Sequence, residues 1–199
     1  MAAIDEPRKR PRQSRSRDTV EVLLEAAAQV FNREGLSATT NRIAERAGVS
    51  IGSLYQYFPN KHALIRALAE RHVDAARGRM ETVFKRLREE EPPFEDSIRA
   101  LLEALVALHR DRPGLHRLMH RFGARMPADV EALQTFEDDI CGEVAWHLAR
   151  CGRAGDDAEL TARTVVHAVD AHLHRVMTDR EMDVEQLVTL VDRLAPRPR

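Results

Sequence analysis

The sequence is poor in aromatic residues, which make up 5% of its 199 positions, with one tryptophan and two tyrosines. Lysine is scarce as well: Lys9, Lys61 and Lys85 stand against a large excess of arginine. No apolar run approaches the about 18 residues that a membrane-spanning helix needs, so no membrane partner is expected. The opening stretch MAAIDEPRKRPRQSRSR has no apolar segment after its charges. That argues against a secretory signal and makes the cytoplasm the expected compartment. The two cysteines, Cys141 and Cys151, would stand about 15 Å apart along one helix. That is too far for a disulfide, and packing is their expected role. A nucleophile elbow, a phosphate-cradling glycine loop and a paired-carboxylate site are all missing, so neither an enzyme nor a cofactor is expected.

What the chain does hold is helical and unevenly charged. The net charge is −1, but Pro7 to Lys61 carries ten Lys/Arg against five Asp/Glu, while His62 to the end carries 21 against 25. A basic first third on an acidic remainder points that first third toward a polyanion. Residues 1–14 are expected to form a disordered arm. From Pro7 to Arg17 six of eleven residues are basic and none is acidic, which suits an arm lying along phosphates or in a minor groove as well as a solubilising tail. Val20, Leu24, Ala27 and Phe31 predict a helix over 17–34 that Gly35 ends. Thr39 or Thr40 caps a short helix to about Ala47, Ser50 caps another to about Tyr57, and Asn60 caps a long one to about Arg88. Further helices are expected near 94–110, 113–122, 127–151, 157–178 and 183–194, with no sheet.

The stretch GVSIGSLYQYFPNK, Gly48 to Lys61, gathers both tyrosines and one of the lysines. Two short helices joined by a glycine turn are a helix-turn-helix. Gly48 suits the turn, Ala44 allows close approach, and Ile43, Ala47, Val49 and Leu54 point inward. Ser50, Ile51, Gly52, Ser53, Tyr55, Gln56 and Tyr57 are left largely outside that strip. Gly52 costs a helix about 1 kcal/mol against Ala, which makes sense where a second molecule must approach the backbone. Tyr55 and Tyr57 point about 200° apart on a helical wheel, so one core face cannot take both. Gln56 can pair with adenine and Ile51 can touch a thymine methyl. Lys61 sits in the first turn of the next helix, where the dipole disfavours a cation unless an anion docks beside it.

VEVLLEAAAQVFNREGLSATTNRIAERAGVSIGSLYQYFPNKHALIRAL, within about residues 15–75, resembles the DNA-binding domain of the tetracycline-repressor (TetR) family. The residues that carry the resemblance are Ala26, Phe31, Gly35, Thr39-Thr40, Ile43-Ala44, Ala47-Gly48-Val49-Ser50, Gly52, Leu54-Tyr55, Tyr57-Phe58 and Lys61. The resemblance implies an all-α fold: an N-terminal three-helix domain with its helix-turn-helix at about 39–58, then a C-terminal helical domain (76–199) for effector binding and dimerisation. It implies phosphate contacts from Thr40, Tyr55, Tyr57 and Lys61 and base reading by Ile51, Gly52 and Gln56. Thr39, Arg42, Ser50 and Ser53 complete the expected DNA-contact set. Ile51 departs from the polar or basic residue of many relatives. The implied function is a repressor that binds double-stranded DNA at an inverted-repeat operator as a homodimer and is released by a small-molecule effector. Two other readings stand beside it: a helical carrier or scaffold whose helix-turn-helix only packs, and an activator or nucleoid-type binder with no effector.

In the C-terminal part, Val165, Val166, Val169, Leu173 and Val176 share one helical face, and Val184, Leu187, Val188, Val191 and Leu194 form a narrow stripe. Val165, Val169, Leu173, Leu187, Val191 and Leu194 are therefore expected at a four-helix dimer interface. His109, Leu118, Met119, Phe122, Met126, Trp146 and His147 are the candidate effector pocket, methionine being adaptable to varied shapes. Seven of the nine histidines fall from His109 onward. Spacings such as His116 with His120, or His167 and His172 with Asp170, can share a metal, but no CxxC or HExxH accompanies them. Surface or interface histidines, and no metal site, are expected.

Overall fold

The computed structural model describes residues 14–110, 112–123, 130–176 and 183–197. They form helices α1 (Ser14–Glu34), α2 (Thr40–Ala47), α3 (Ile51–Tyr57), α4 (Lys61–Glu90), α5 (Phe94–Arg110), α6 (Pro113–Gly123), α7 (Val130–Arg150), α8 (Ala158–Ala171) and α9 (Val184–Leu194). A 3-10 turn at Gly35–Ser37 follows α1, and a π-helical turn at His172–Val176 follows α8. There is no strand among the described residues, and no helix among them is long and apolar enough to cross a membrane. Of the arm expected at residues 1–14, positions 1–13 lie outside the described residues, whereas Ser14 already belongs to α1.

The chain divides into two compact units, one drawn from 1–72 and 112–129, the other from 73–111 and 130–199. In the first, α1 buries Leu23, Leu24, Ala27 and Phe31 against Ile43, Leu54, Phe58 and Leu64. Spacings of three and four along α1 put those residues on one face, which is why this stretch is a helix and why that face is covered. Helix α6 packs on α1 in this unit, and its Leu115, Leu118 and Met119 join the same core. Arg112, just before α6, holds the Glu25 carboxylate of α1 with two nitrogens at 2.7 and 3.1 Å. The Arg112 hydrogen bond, followed by that from Gln29, lowers the pKa of Glu25.

In the second unit α9 packs on α5 and α8. The residues expected at a dimer interface lie within this packing. Val165, Val169, Leu173, Leu187 and Val191 are 0–5% exposed within a single chain, and Leu194 packs against the same core. The apolar stripe of α9 is divided: Leu187 and Val191 are buried against the chain's own core, while Val184, Val188 and Leu194 are only partly buried. Arg153, 4% exposed, explains part of this arrangement. Its guanidinium reaches Asp192 of α9 at 2.8 Å and Glu95 of α5 at 3.0 Å, and it lies over the Phe94 ring at 4.4 Å. A buried cation held by two carboxylates ties α9 to α5, because moving α9 would strip the guanidinium of one of its two hydrogen-bonding partners. Arg99 also pairs with Glu185 at the start of α9.

A correction concerns Val176, which the helical spacing put on the stripe with Val169 and Leu173. It is 59% exposed. The π-helical turn widens the helix from His172 onward. Each residue then turns through a smaller angle, and the stripe falls out of phase after Leu173. Cys141 and Cys151 are free thiols, with the Cys141 thiol pushed up chiefly by burial.

Candidate nucleic-acid interface

The first unit builds its exposed face on two capped short helices. Thr39 caps α2, its hydroxyl accepting from the Arg42 amide at 3.3 Å. Gly48 ends α2 at φ +68°, and the Val49 amide then donates to the Ala44 carbonyl at 3.0 Å. A side chain at position 48 would be strained there, and this turn sets the angle between α2 and α3. Ser50 caps α3 by accepting from the Ser53 amide at 3.0 Å, and the two serine hydroxyls stand 2.9 Å apart. Asn60 caps α4 through the Ala63 amide at 2.9 Å.

What is buried behind this face matches the inward set read from spacing. Ile43 and Leu54 are fully buried, Ala44 nearly so, and Ala47 and Val49 pack against the same core. The outward row of α3 is Ile51, Gly52, Tyr55 and Gln56, all exposed. The two tyrosines part as their angular separation requires. Tyr57 is half-buried against the core, while Tyr55 is 42% exposed. Tyr55 does not stand alone, since its hydroxyl lies 3.0 Å from the Thr40 hydroxyl. That contact joins the start of α2 to the middle of α3 through two groups that each accept and donate. Such a pair can turn a proton toward a phosphate oxygen without losing its own hydrogen bond.

Gly52 has no packing reason to be glycine. A Cβ built there would meet only the Ser50 hydroxyl, at 3.8 Å, an ordinary contact. The missing side chain leaves the helix backbone open on the outward side. Arg42 pairs with Glu34 at 2.7 Å and is 62% exposed, so its guanidinium is available beyond that pair. Lys61 adds something the spacing did not show. Its ammonium donates to the Leu36 carbonyl at 2.9 Å, bracing the turn between α1 and α2 against the start of α4. Arg46, absent from the expected set, donates to Gln29 of α1 with two nitrogens. It lies in the last turn of α2.

The remaining candidate residues fall elsewhere. Leu118 and Met119 are buried in the core of the first unit. Phe122 belongs to α6, its side chain lying outside the described residues, as does Met126. His109, Trp146 and His147 belong to the second unit. The Arg88 guanidinium lies 4.0 Å from the Trp146 ring centroid and is itself held by Glu143 at 2.6 and 2.9 Å. His147 is fully buried, and neither ring nitrogen has a hydrogen-bond partner among the described residues. Burial lowers its pKa; Glu143 opposes that, and Arg150 and Arg88 add to it. The neutral imidazole is thus favoured.

Comparison with known proteins agrees with this geometry. The profile described as "Bacterial regulatory proteins, tetR family" matches residues 23–68, and that described as "Tetracyclin repressor-like, C-terminal domain" matches residues 93–196. Among curated proteins, the nucleoid occlusion factor SlmA of Vibrio vulnificus is 34% identical over 100 residues, covering 50% of this chain and 49% of that protein. SlmA of Vibrio cholerae is 32% identical over 101 residues, covering 50% of each. The chain thus matches about half the length of these curated relatives. Among solved structures, a transcriptional regulator from Rhodococcus sp. RHA1 superposes with a TM-score of 0.68 at 22% identity, over 88% of this chain and 95% of that one. A TetR-family regulator from Mesorhizobium loti gives 0.66 at 21% identity, over 92% and 96%. These structural likenesses speak for the fold.

Proposed function

The chain belongs to the TetR family of bacterial regulatory proteins, DNA-binding and non-enzymatic, and from that premise we propose that it is a cytoplasmic repressor that holds an inverted-repeat operator as a homodimer until a small molecule releases it. The observation that carries this reading is the outward row of α3, exposed Ile51, Gly52, Tyr55 and Gln56 with no packing need for the glycine. That row enters the major groove, with Gln56 reading adenine and Ile51 a thymine methyl. Thr40, Tyr55, Tyr57 and Lys61 hold phosphates, and Thr39, Arg42, Ser50 and Ser53 flank them. The match of the C-terminal profile over residues 93–196 favours release by a ligand over the role in the SlmA name. The fully buried imidazole of His147, with both nitrogens unpartnered among the described residues, is the polar group that such a ligand would engage. The second copy is expected on the surface that α8 and α9 leave outward, where Leu160 of α8 is 63% exposed and Val184 and Val188 of α9 are only partly buried.

Selection of bound duplexes from a random pool tests this directly. The selected sites should contain two inverted half-sites, with centres about 34–36 Å or a multiple of that apart. A pool that never enriches a motif, or a single half-site bound as tightly as a pair, would count against it. Lys61 needs a variant that separates its two roles. Lys61→Gln keeps a donor for the Leu36 carbonyl but loses the charge. It should weaken binding to all sequences alike and lower the salt slope by about 1. An unchanged slope would leave Lys61 as a brace only.

A further inference from the structure

The second unit brings together two histidines, one of them His109 of the expected effector-pocket set. His109 ends α5, and His174 lies in the π-helical turn after α8, a type of distortion that often accompanies function. Their Nε2 atoms face each other at 3.1 Å, with ring centroids 4.9 Å apart and planes at 53°. The Nδ1 atom of His109 lies 2.7 Å from the Leu105 carbonyl oxygen. The Nδ1 atom of His174 lies 3.0 Å from the Asp170 carbonyl oxygen and 2.9 Å from the Asp170 carboxylate. Carbonyl and carboxylate oxygens only accept, so both Nδ1 atoms must donate. In the neutral imidazoles both Nε2 atoms then carry lone pairs, aimed at one another at close range. Two converging lone pairs need a cation between them.

We propose that His109 and His174 bind a divalent transition-metal ion through their Nε2 atoms. The distance fits. Two nitrogens about 2.0–2.1 Å from one ion stand about 2.9 Å apart at a right angle and about 3.3 Å at the tetrahedral angle. The surroundings fit as well, because a metal-bound histidine characteristically gives its other N–H to a carbonyl or carboxylate that fixes the tautomer and the ring. Leu105 and Asp170 do this for the two rings. Imidazole donors suit zinc, nickel or copper rather than magnesium or calcium. His109 is 4% exposed, so the ion is largely shielded from bulk water. The two ligands stand 65 residues apart in sequence, which is why no short ligand motif marks them. The ion would tie the end of α5 to the turn after α8.

The test uses the full-length protein stripped with a chelator, and needs no DNA. Zinc and cobalt(II) are titrated by calorimetry, and cobalt(II) is followed by its visible absorption. The parent should take up one ion per chain at a site that His109→Gln and His174→Gln each weaken by at least about 100-fold. Asp170→Asn, which leaves both ligands in place, should weaken it by about 10–100-fold. Imidazole NMR of the parent serves if a variant fails to fold. Added zinc should move the His109 and His174 Nε2 resonances together, and those of the exposed His167 should stay. Uptake equal in the parent and the His109/His174 double variant would overturn the proposal, as would zinc leaving both Nε2 resonances unmoved. In that second case a proton shared by the two rings is the cation.

Discussion

Leu187→Glu should abolish the cooperative unfolding transition of the second unit rather than yield a folded monomer. Leu187 is fully buried and Val191 is 1% exposed, both among residues of α5 and α8. Removing a buried leucine side chain costs about 2–5 kcal/mol. A carboxylate in its place must either stay ionised in an apolar core or be protonated at neutral pH, and either adds several kcal/mol. A typical domain is stable by only about 5–15 kcal/mol, so the sum consumes most of that margin. Circular dichroism melting and limited proteolysis read the result directly. The conservative Leu187→Met should cost less than about 1.5 kcal/mol. Leu160→Glu supplies the contrast. At 63% exposure, position 160 should tolerate the charge within about 0.5 kcal/mol, and sedimentation then reports whether the outward row of α8 joins two copies. A Leu187→Glu protein with an unchanged melt would refute the intrachain packing of α9.

Gly114→Ala should be the most damaging single methyl in the first unit. A Cβ at position 114 would sit 2.1 Å from the Asn32 carbonyl oxygen, and 3.0 Å from both the carbonyl carbon and the side-chain oxygen of the same residue. The obstacle is backbone, so no rotamer relieves it. The same Asn32 side chain accepts from the Gly114 and Leu115 amides at 2.8 and 3.2 Å, capping α6 from α1. Pushing the helices apart breaks both bonds, leaving buried donors at about 1–3 kcal/mol each. It also loosens Leu115, Leu118 and Met119 from the core. A total loss above about 3 kcal/mol is expected in urea unfolding. Gly78→Ala is the matched control. That glycine is exposed within α4, and a Cβ there meets nothing within 4 Å. The change should stabilise by up to about 1 kcal/mol, from helix propensity alone. Equal effects at the two glycines would mean that α6 does not seat on α1 this closely.

Local chemistry was legible in the sequence because its causes lie within a few residues. Ser50 and Asn60 cap the helices they were expected to cap, Thr39 is the cap of the two threonines left open for α2, and Gly48 takes the left-handed turn. The angle between Tyr55 and Tyr57 required one of them to face outward, and Tyr55 does. Family membership and the all-helical class follow from the same short-range pattern. The tertiary structure alone decided which surface each apolar stripe meets. A stripe records that a face must leave water, and burial has no direction that names a partner. Leu187 and Val191 could satisfy it against a second copy or against α5 and α8, and within the chain both are buried in the core that α5 and α8 build. Leu118 and Met119 met α1 because Gly114 permits an approach that only a fold can reveal. The pairing of Lys61 with Leu36 and the meeting of His109 with His174 span 25 and 65 residues, distances over which spacing carries no information and only packing brings atoms together.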